Sequence, residues 1–491
     1  MSNKIVVIGS GFSSLSAASY LAKSGFDVTV IEKNESAGGR ARKFESQGYN
    51  FDMGPSWYWM PEIFDEFFSD FGSNTASHYE LKRLSPSYAA YFGNGEELIV
   101  PSNFSELCQL FESIEPGAGN QLKKYLKEAE YKYRVSVDKI MRRPGISMTE
   151  FLDVSFIPAL FRMDLFQPIE KHIRKYFSSE KIIRLLEFPI LFLGTMPKNT
   201  PALYSLMNYA DMALGTWYPA GGMYKIVEGM KNVALQQGVQ FVFNETVNSI
   251  NVLNGKAVSV TTQSKVYEAN WVVAGSDYQH TEQTLLKKEY RKYSSNYWSK
   301  RVMAPSALLF YLGIKKLLPK LQHHTLFFDC SLEAHAAEIY DAPQWPKEPM
   351  FYVCRTSASD ASVAPPGCEN LFILIPIAAG LNDEEIIREK YYTRIMTRLE
   401  TYCGESIKPY VEFKKSYAHA NFNADYNAFK GNAYGLANTL KQTARFKPSI
   451  TSNKVSNLFY TGQLTVPGPG VPPAIISGKL VAEQVSKKIK K

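Results

Sequence analysis

The stretch Lys4-Ile5-Val6-Val7-Ile8-Gly9-Ser10-Gly11-Phe12-Ser13-Ser14 decides the fold. A β-branched apolar run without polar alternation marks a strand buried on both faces of a parallel sheet. Gly9 permits a tight turn out of that strand, and Gly11 lets backbone approach a phosphate closely. Leu15, Ala17, Ala18, Leu21 and Ala22 then recur at helical spacing, and Gly25 stops the helix. Such a helix turns its free N–H groups and positive dipole end toward the glycine turn, a site for a pyrophosphate. A second strand, Val28 to Ile31, ends on Glu32, 23 residues after Gly9. An acid there accepts hydrogen bonds from ribose hydroxyls and disfavours the 2′-phosphate of NADP. Ser14 replaces the third glycine of the usual fingerprint, at a position that asks for a small residue so that helix and strand can pack.

The residues after Glu32 point to FAD. Gly38-Gly39-Arg40-Ala41 reads as a second turn gripping phosphates or the flavin end, because an arginine fork suits phosphate oxygens. Phe51-Asp52-Met53-Gly54-Pro55-Ser56 reads as a further turn. At the far end, a strand at Leu458-Phe459-Tyr460 leads through Gly462-Gln463 and the loop Val466 to Pro473 into a helix carrying Ile475, Leu480 and Val485. Proline at a helix start is tolerated, so a second helix N-terminus faces the site. Between these blocks, Gly221-Gly222-Met223 precedes a helix to Gln236. A strand-like run, Val239 to Val247, comes next, its backbone placed to pair with an adenine edge. Trp271 to Ala274 is a strand that turns at Asp277.

Composition bounds the rest. The 491 residues are 45% hydrophobic and 21% charged, enough for a core that encloses a cofactor. The net charge of +8 is spread out, and its densest run, Lys487, Lys488, Lys490 and Lys491, reads as a solvated tail. No zinc spacing or basic helix interleaved with aromatics argues for nucleic acid or a metal. Five scattered cysteines without CxxC read as reduced and cytosolic. The N-terminus lacks signal-peptide character, and no stretch reaches the roughly 18 apolar residues of a membrane span.

In order and over essentially the whole chain, these blocks resemble the flavin amine-oxidase superfamily. Within it they are similar to the bacterial carotenoid desaturases of the phytoene type. The carriers are GSGFSS with Glu32 and GGRAR, the FDMGPS turn, WYPAGGM (Trp217 to Met223), VVAGSD, and the C-terminal TGQLTVPGPGVPPAIISGK. The resemblance implies an α/β fold: a Rossmann-like FAD-binding domain, an inserted mixed-sheet substrate domain and a helical membrane-associated region. It implies that Gly9, Gly11, Phe12, Ser13 and Ser14 hold the pyrophosphate, Glu32 with Lys33 the ribose, and Val247 the adenine. Gly39, Arg40, Ala41, Pro55 and Ser56 would lie along phosphates and flavin, Gly462 and Gln463 by the phosphate, and Val471, Pro472 and Ile475 near the isoalloxazine. The family usually has Gly-Ala-Gly-Thr-His-Pro-Gly where this chain has Gly462 to Gly468 with Val466 in place of the histidine, which puts any role of that histidine in doubt.

The implied reaction removes two hydrogens from adjacent carbons of a polyene, with flavin carrying the difficult step. No triad is expected and no general base is identifiable. Asp277 reads as structural, and His172 and His335 as surface histidines. The substrate is insoluble, so the enzyme is expected on the inner membrane's cytoplasmic surface, with quinone or oxygen as electron acceptor. The segment 151–193 suits an interface: Phe151, Leu152, Phe156, Ile157, Leu160, Phe161, Leu165 and Phe166 stand beside Arg162, Lys171, Arg174, Lys175, Lys181 and Arg184. A helical cap on the protein's own core is the other reading. Residues 1–75, 220–290 and 440–491 are assigned to FAD binding. Residues 76–219, helical near 105–205, and 291–439, with strands at Ala307 to Leu312 and Leu371 to Ile377, are assigned to the substrate. A 3,4-desaturase of a hydroxylated carotenoid, a soluble amine oxidase and a non-catalytic FAD- or carotenoid-binding protein stay open as alternatives.

Overall fold

The computed structural model describes residues 4–147, 150, 163–165, 167–191, 194–443 and 446–489. The opening run forms β1 (Lys4–Ile8), α1 (Phe12–Lys23) and β2 (Asp27–Ile31). Distant chain joins it: α2 (Tyr224–Gln236), β3 (Gln240–Val242), β4 (Trp271–Ala274), β5 (Leu458–Tyr460) and α3 (Val471–Ile489). The five strands form one parallel sheet in the order β5-β4-β1-β2-β3. β1 is central. Val6 and Ile8 pack with Val272 and Leu458 on one face, while Ile5 and Val7 pack with Ala17, Leu21 and Val481 on the other. A strand covered on both faces has no use for polar alternation. The strand order reverses at β1, and in such sheets ligands sit in the crevice beyond the carboxyl ends at that point.

Small residues let the helices close over this sheet. α1 and α3 cross so tightly that a Cβ on Gly478 would stand 2.3 Å from the Ser13 carbonyl oxygen, and Ser16 Oγ donates to Ile475 O at 2.7 Å. Ser14 is buried against the end of β4, where a Cβ on Gly275 would fall 1.9 Å from its hydroxyl.

The strand expected over 239–247 is two strands. β3 ends at Val242, Asn244 takes φ +55°, and Val247 opens a separate antiparallel three-stranded sheet over 247–268. The left-handed turn at Asn244, a residue that tolerates that region, divides the run.

A seven-stranded mixed sheet carries the other half, in the order Val411–Tyr417, Ser306–Ile314, Glu369–Ile377, Phe351–Cys354, His324–Phe327, Tyr88–Gly93, Glu96–Val100. Its period of two divides the work. Leu308, Phe310 and Leu312 pack on Ile395, Met396 and Leu399 of the helix Glu385–Cys403, while Ala307 and Leu309 face a cavity.

Much of the expected interfacial segment, residues 151–162, 166, 192 and 193, lies outside the described residues, as do Lys490 and Lys491. Within the described part, Ile182, Ile183, Leu185 and Leu186 of the helix Glu180–Leu191 are buried in the core, so this stretch is a cap on the protein itself. Lys181 pairs with Glu96 (3.1 Å) and Arg174 with Glu180 (2.6 Å). His172 and His335, expected at the surface, are buried at 2% and 1% exposure. His335 is satisfied there, accepting from the Met350 N–H (3.1 Å) and donating to Pro376 O (2.8 Å). All five cysteines are free thiols. Among the described residues no helix is long and apolar enough to cross a membrane.

Candidate active site

The carboxyl ends of β1, β2 and β4 open onto a cavity of about 740 Å³, large among ligand pockets of roughly 300–1,000 Å³. Its polar end is the opening motif. Gly9 takes φ +89°, and its N–H donates to Ile31 O at 2.8 Å. Gly11 caps α1 in an extended conformation with no side chain to occupy the first N–H groups of the helix. A Cβ there would meet nothing within 4 Å. Open space over an uncapped helix N-terminus suits an anion.

Glu32 follows β2 with a buried, fixed carboxylate. Oε2 accepts from the Ser10 N–H (2.8 Å) and hydroxyl (2.7 Å), and Oε1 from the Asn34 N–H (2.9 Å) and side-chain amide (2.8 Å). The two side-chain donors can rotate aside for ribose hydroxyls. Lys33, beside it, gives its ammonium to Ala424 O (2.5 Å).

The second turn closes on the first: a Cβ on Gly39 would stand 3.3 Å from Gly11 Cα. Next to it Arg40 donates from Nη2 to Asn432 O (3.1 Å) and lies over the Tyr426 ring (5.3 Å), while its buried Nε has no partner. Burial lowers its pKa and Asp277 opposes that shift. A buried cation with a spare donor calls for an anionic ligand. Asp277 accepts from the His280 and Phe429 N–H groups, both at 3.2 Å, so it holds the turn as well as facing the cavity. From the chain's far end, Gly462 takes φ +112°, and Gly470, Val471 and Pro472 bring the start of α3 to the wall.

Gly9, Gly11, Phe12, Ser13, Glu32, Lys33, Gly39, Arg40, Ala41, Pro55, Ser56, Val247, Gly462, Gln463, Val471 and Pro472 line this cavity. Ser14 and Ile475 do not: Ser14 is turned under β4 and Ile475 packs inward at 3% exposure. Asn34, Glu245, Thr246 and Tyr426 line it too and escaped the sequence reading. An amide two residues after the acid was a signal for Asn34. Tyr426 has none, being brought in from distant chain at the end of the helix His419–Tyr426. The residues present fit FAD: donors for a pyrophosphate at Gly11 and Arg40, an acid for the ribose at Glu32, and close-packed turns at Pro55–Ser56 and Val471–Pro472 for a flat ring.

Beyond Ser56 the same cavity becomes hydrocarbon. Trp57, Leu203, Met207, Leu309, Phe372 and Leu374 wall it. Trp59, also in the wall, is held from behind: its Nε1 donates to Thr216 Oγ1 (2.9 Å), and Thr216 and Tyr88 donate to the two oxygens of Asp211 (3.1 and 2.8 Å). Burial pushes the Asp211 carboxyl up to about 7 against those two bonds. The folded state therefore keeps a proton that the unfolded chain releases above its ordinary 3.8. That contribution is full below pH ~4 and is lost as pH rises toward ~7. Asp211→Asn should shallow the fall in melting temperature over that window, and superimposable wild-type and variant profiles would contradict this.

Glu128, Asp164 and His172 lie close enough to share an ion, but Lys132 Nζ already stands 2.9 Å from Asp164 and 3.3 Å from His172.

The family described as flavin containing amine oxidoreductase matches residues 12–486. A carotenoid 3,4-desaturase of Haloarcula japonica is 37% identical, over 98% of this chain and 97% of its own. A zeta-carotene-forming phytoene desaturase of Myxococcus xanthus is 28% identical, over 98% and 93%. Among solved structures, an oxidoreductase from Methanosarcina mazei shares the fold with a TM-score of 0.63 at 16% identity, covering 98% of this chain and 100% of its own.

Proposed function

Because the chain belongs to the flavin-containing amine oxidoreductase family, we propose that it is an FAD-dependent carotenoid desaturase, forming a C=C bond between adjacent carbons of a long polyene. The observation that carries this is the continuity of one cavity from a dinucleotide cradle at Gly11 and Glu32 to walls of Trp57, Leu309 and Phe372. The named desaturase relatives support it over an amine oxidase on a soluble substrate. The greater identity to a 3,4-desaturase favours a 3,4 bond over the phytoene bonds.

When bound, FAD supplies a two-electron acceptor for a hydride. The protein's own part is positional. Gly9, Gly11, Ser13, Gly462 and Gln463 hold the pyrophosphate, Glu32 the ribose, and the Val247 backbone the adenine. Gly39, Arg40 and the Pro55–Ser56 turn lie along phosphates and flavin, with Val471 and Pro472 against the ring. The apolar walls align the chain of the substrate and exclude water from a substrate cation. Residues 1–75, 220–290 and 440–491 form the cofactor half, and 76–219 and 291–439 the substrate half.

The enzyme draws its substrate from the cytoplasmic face of a membrane, and a quinone or oxygen takes the electrons onward. In support, the cavity lining reaches Met141, Arg143, Gly145 and Leu165, on either side in sequence of the largely apolar run 151–162.

Expression in a pigment-free host supplied with phytoene, with hydroxylated carotenoids or with neither tests the reading. A product two hydrogens lighter and absorbing further to the red is expected in one background. Unchanged pigments in all of them would overturn it.

A further inference from the structure

Losing a hydride leaves the substrate a cation, and a double bond forms only when the neighbouring carbon gives up a proton. The cavity wall offers a hydroxyl placed for that proton. Tyr352 lines the cavity on the strand Phe351–Cys354. Its hydroxyl stands 2.6 Å from His324 Nδ1, on the paired strand His324–Phe327, and 3.1 Å from Ser56 Oγ. His324 has no exposure, stacks on Trp57 with ring centroids 4.0 Å apart, and has no partner at Nε2. The imidazole thus lies behind the wall that Tyr352 and Trp57 form, with the Tyr352 hydroxyl as its polar contact on that wall. Ser56 also faces a second niche of about 20 Å³, lined by Asp52, Thr356 and Asn370, which is room for one water.

We propose that Tyr352 is the proton acceptor of the desaturation, with His324 behind it as the group that receives the phenolic proton. The inference rests on the carotenoid-desaturase reading. One C–H bond leaves as hydride to the two-electron acceptor. The electron pair of the adjacent C–H bond becomes the new π bond, and its proton passes to the Tyr352 oxygen. The Tyr352 proton moves to His324 Nδ1. The substrate is oxidised by two electrons, the acceptor is reduced by two, and one proton rests on the imidazole. That proton departs through Tyr352, Ser56 and the niche at Asp52.

Burial supports the arrangement. It holds the phenol far above its usual pKa and the imidazole well below its own, so the resting pair is neutral. A neutral imidazole in an apolar wall is a weak base, and the acidity of a polyene cation supplies the driving force. Tyr352 touches the substrate and is the catalytic residue. His324 acts through it and is a positioning residue with a proton-accepting role.

The test uses the FAD-loaded enzyme with carotenoid in liposomes. The substrate is deuterated either at the carbon that loses the hydride or at the one that loses the proton. Tyr352→Phe keeps the packing and removes one oxygen. Desaturation should fall about a hundredfold, in the range of positioned acid–base groups. The isotope effect at the proton-losing carbon should rise, and that at the hydride-losing carbon should fall toward unity. His324→Asn keeps an acceptor for the phenol without a base, and should move both isotope effects the same way with a smaller loss, about tenfold. A merely structural role would move neither ratio. Desaturation within threefold of wild type in Tyr352→Phe, or a loss in both variants with unchanged isotope effects, would overturn the proposal. A wild-type enzyme that desaturates no carotenoid would instead sink the reading beneath it.

Discussion

Replacing Gly11 with aspartate is expected to leave a folded protein that no longer holds FAD. The backbone at Gly11 is extended, at φ −69° and ψ 174°, and a Cβ there has open space. Aspartate is a favoured residue at a helix N-cap, so α1 itself gains from the change. The new carboxylate would stand where a pyrophosphate lies. Two unit charges 4 Å apart repel by about 4 kcal/mol at an effective dielectric near 20, which is about a thousandfold in affinity. Bound flavin after purification and titration of the apoprotein with FAD measure it. The apoprotein's melting temperature should match or exceed that of wild-type apoprotein. Affinity within tenfold of wild type would contradict the placement of the pyrophosphate over Gly11.

Gly478→Ala is expected to destabilise the whole fold, although Gly to Ala within a helix ordinarily gains about 1 kcal/mol. The added methyl would lie 2.3 Å from the Ser13 carbonyl oxygen, 2.6 Å from Ser16 Cβ and 2.7 Å from the Ala17 N. Two of those atoms are backbone and cannot swing aside, so α1 and α3 must part. Overpacking of this kind costs roughly 1–3 kcal/mol and sometimes more. Because both helices begin at the cavity, FAD affinity should fall together with melting temperature. Unchanged values of both would show that the helices have slack the geometry denies.

The glycine turns and the acid after β2 were legible in the sequence because these devices are local. Gly9, Gly11 and Glu32 sit within one strand–helix–strand unit, and each is set by a turn or by backbone reach. The C-terminal loop was legible for the same reason, since Gly462 and Val471–Pro472 flank one strand and one helix. Burial around the seven-stranded sheet was not. Nothing within Phe351-Tyr352-Val353-Cys354 marks Tyr352 as a cavity residue, because its place depends on pairing with His324–Phe327 and on Ser56, 296 residues earlier. The same blindness put His172 and His335 at the surface. A lone histidine gives no sign of the Pro376 carbonyl or Lys132 ammonium that tertiary structure brings to it. Ser14 shows the reverse case: its smallness was readable, but sequence could not tell whether it served the ligand or the packing against Gly275.

In the proposed reaction, one cavity brings a polyene to a flavin. Its most direct test mixes the purified, FAD-loaded enzyme with carotenoid-bearing liposomes without oxygen or any other acceptor. The oxidised-flavin absorption should bleach in step with one new double bond per flavin, and added quinone or oxygen should restore it. Flavin that stays oxidised beside every carotenoid tried, with each recovered unchanged, would contradict it.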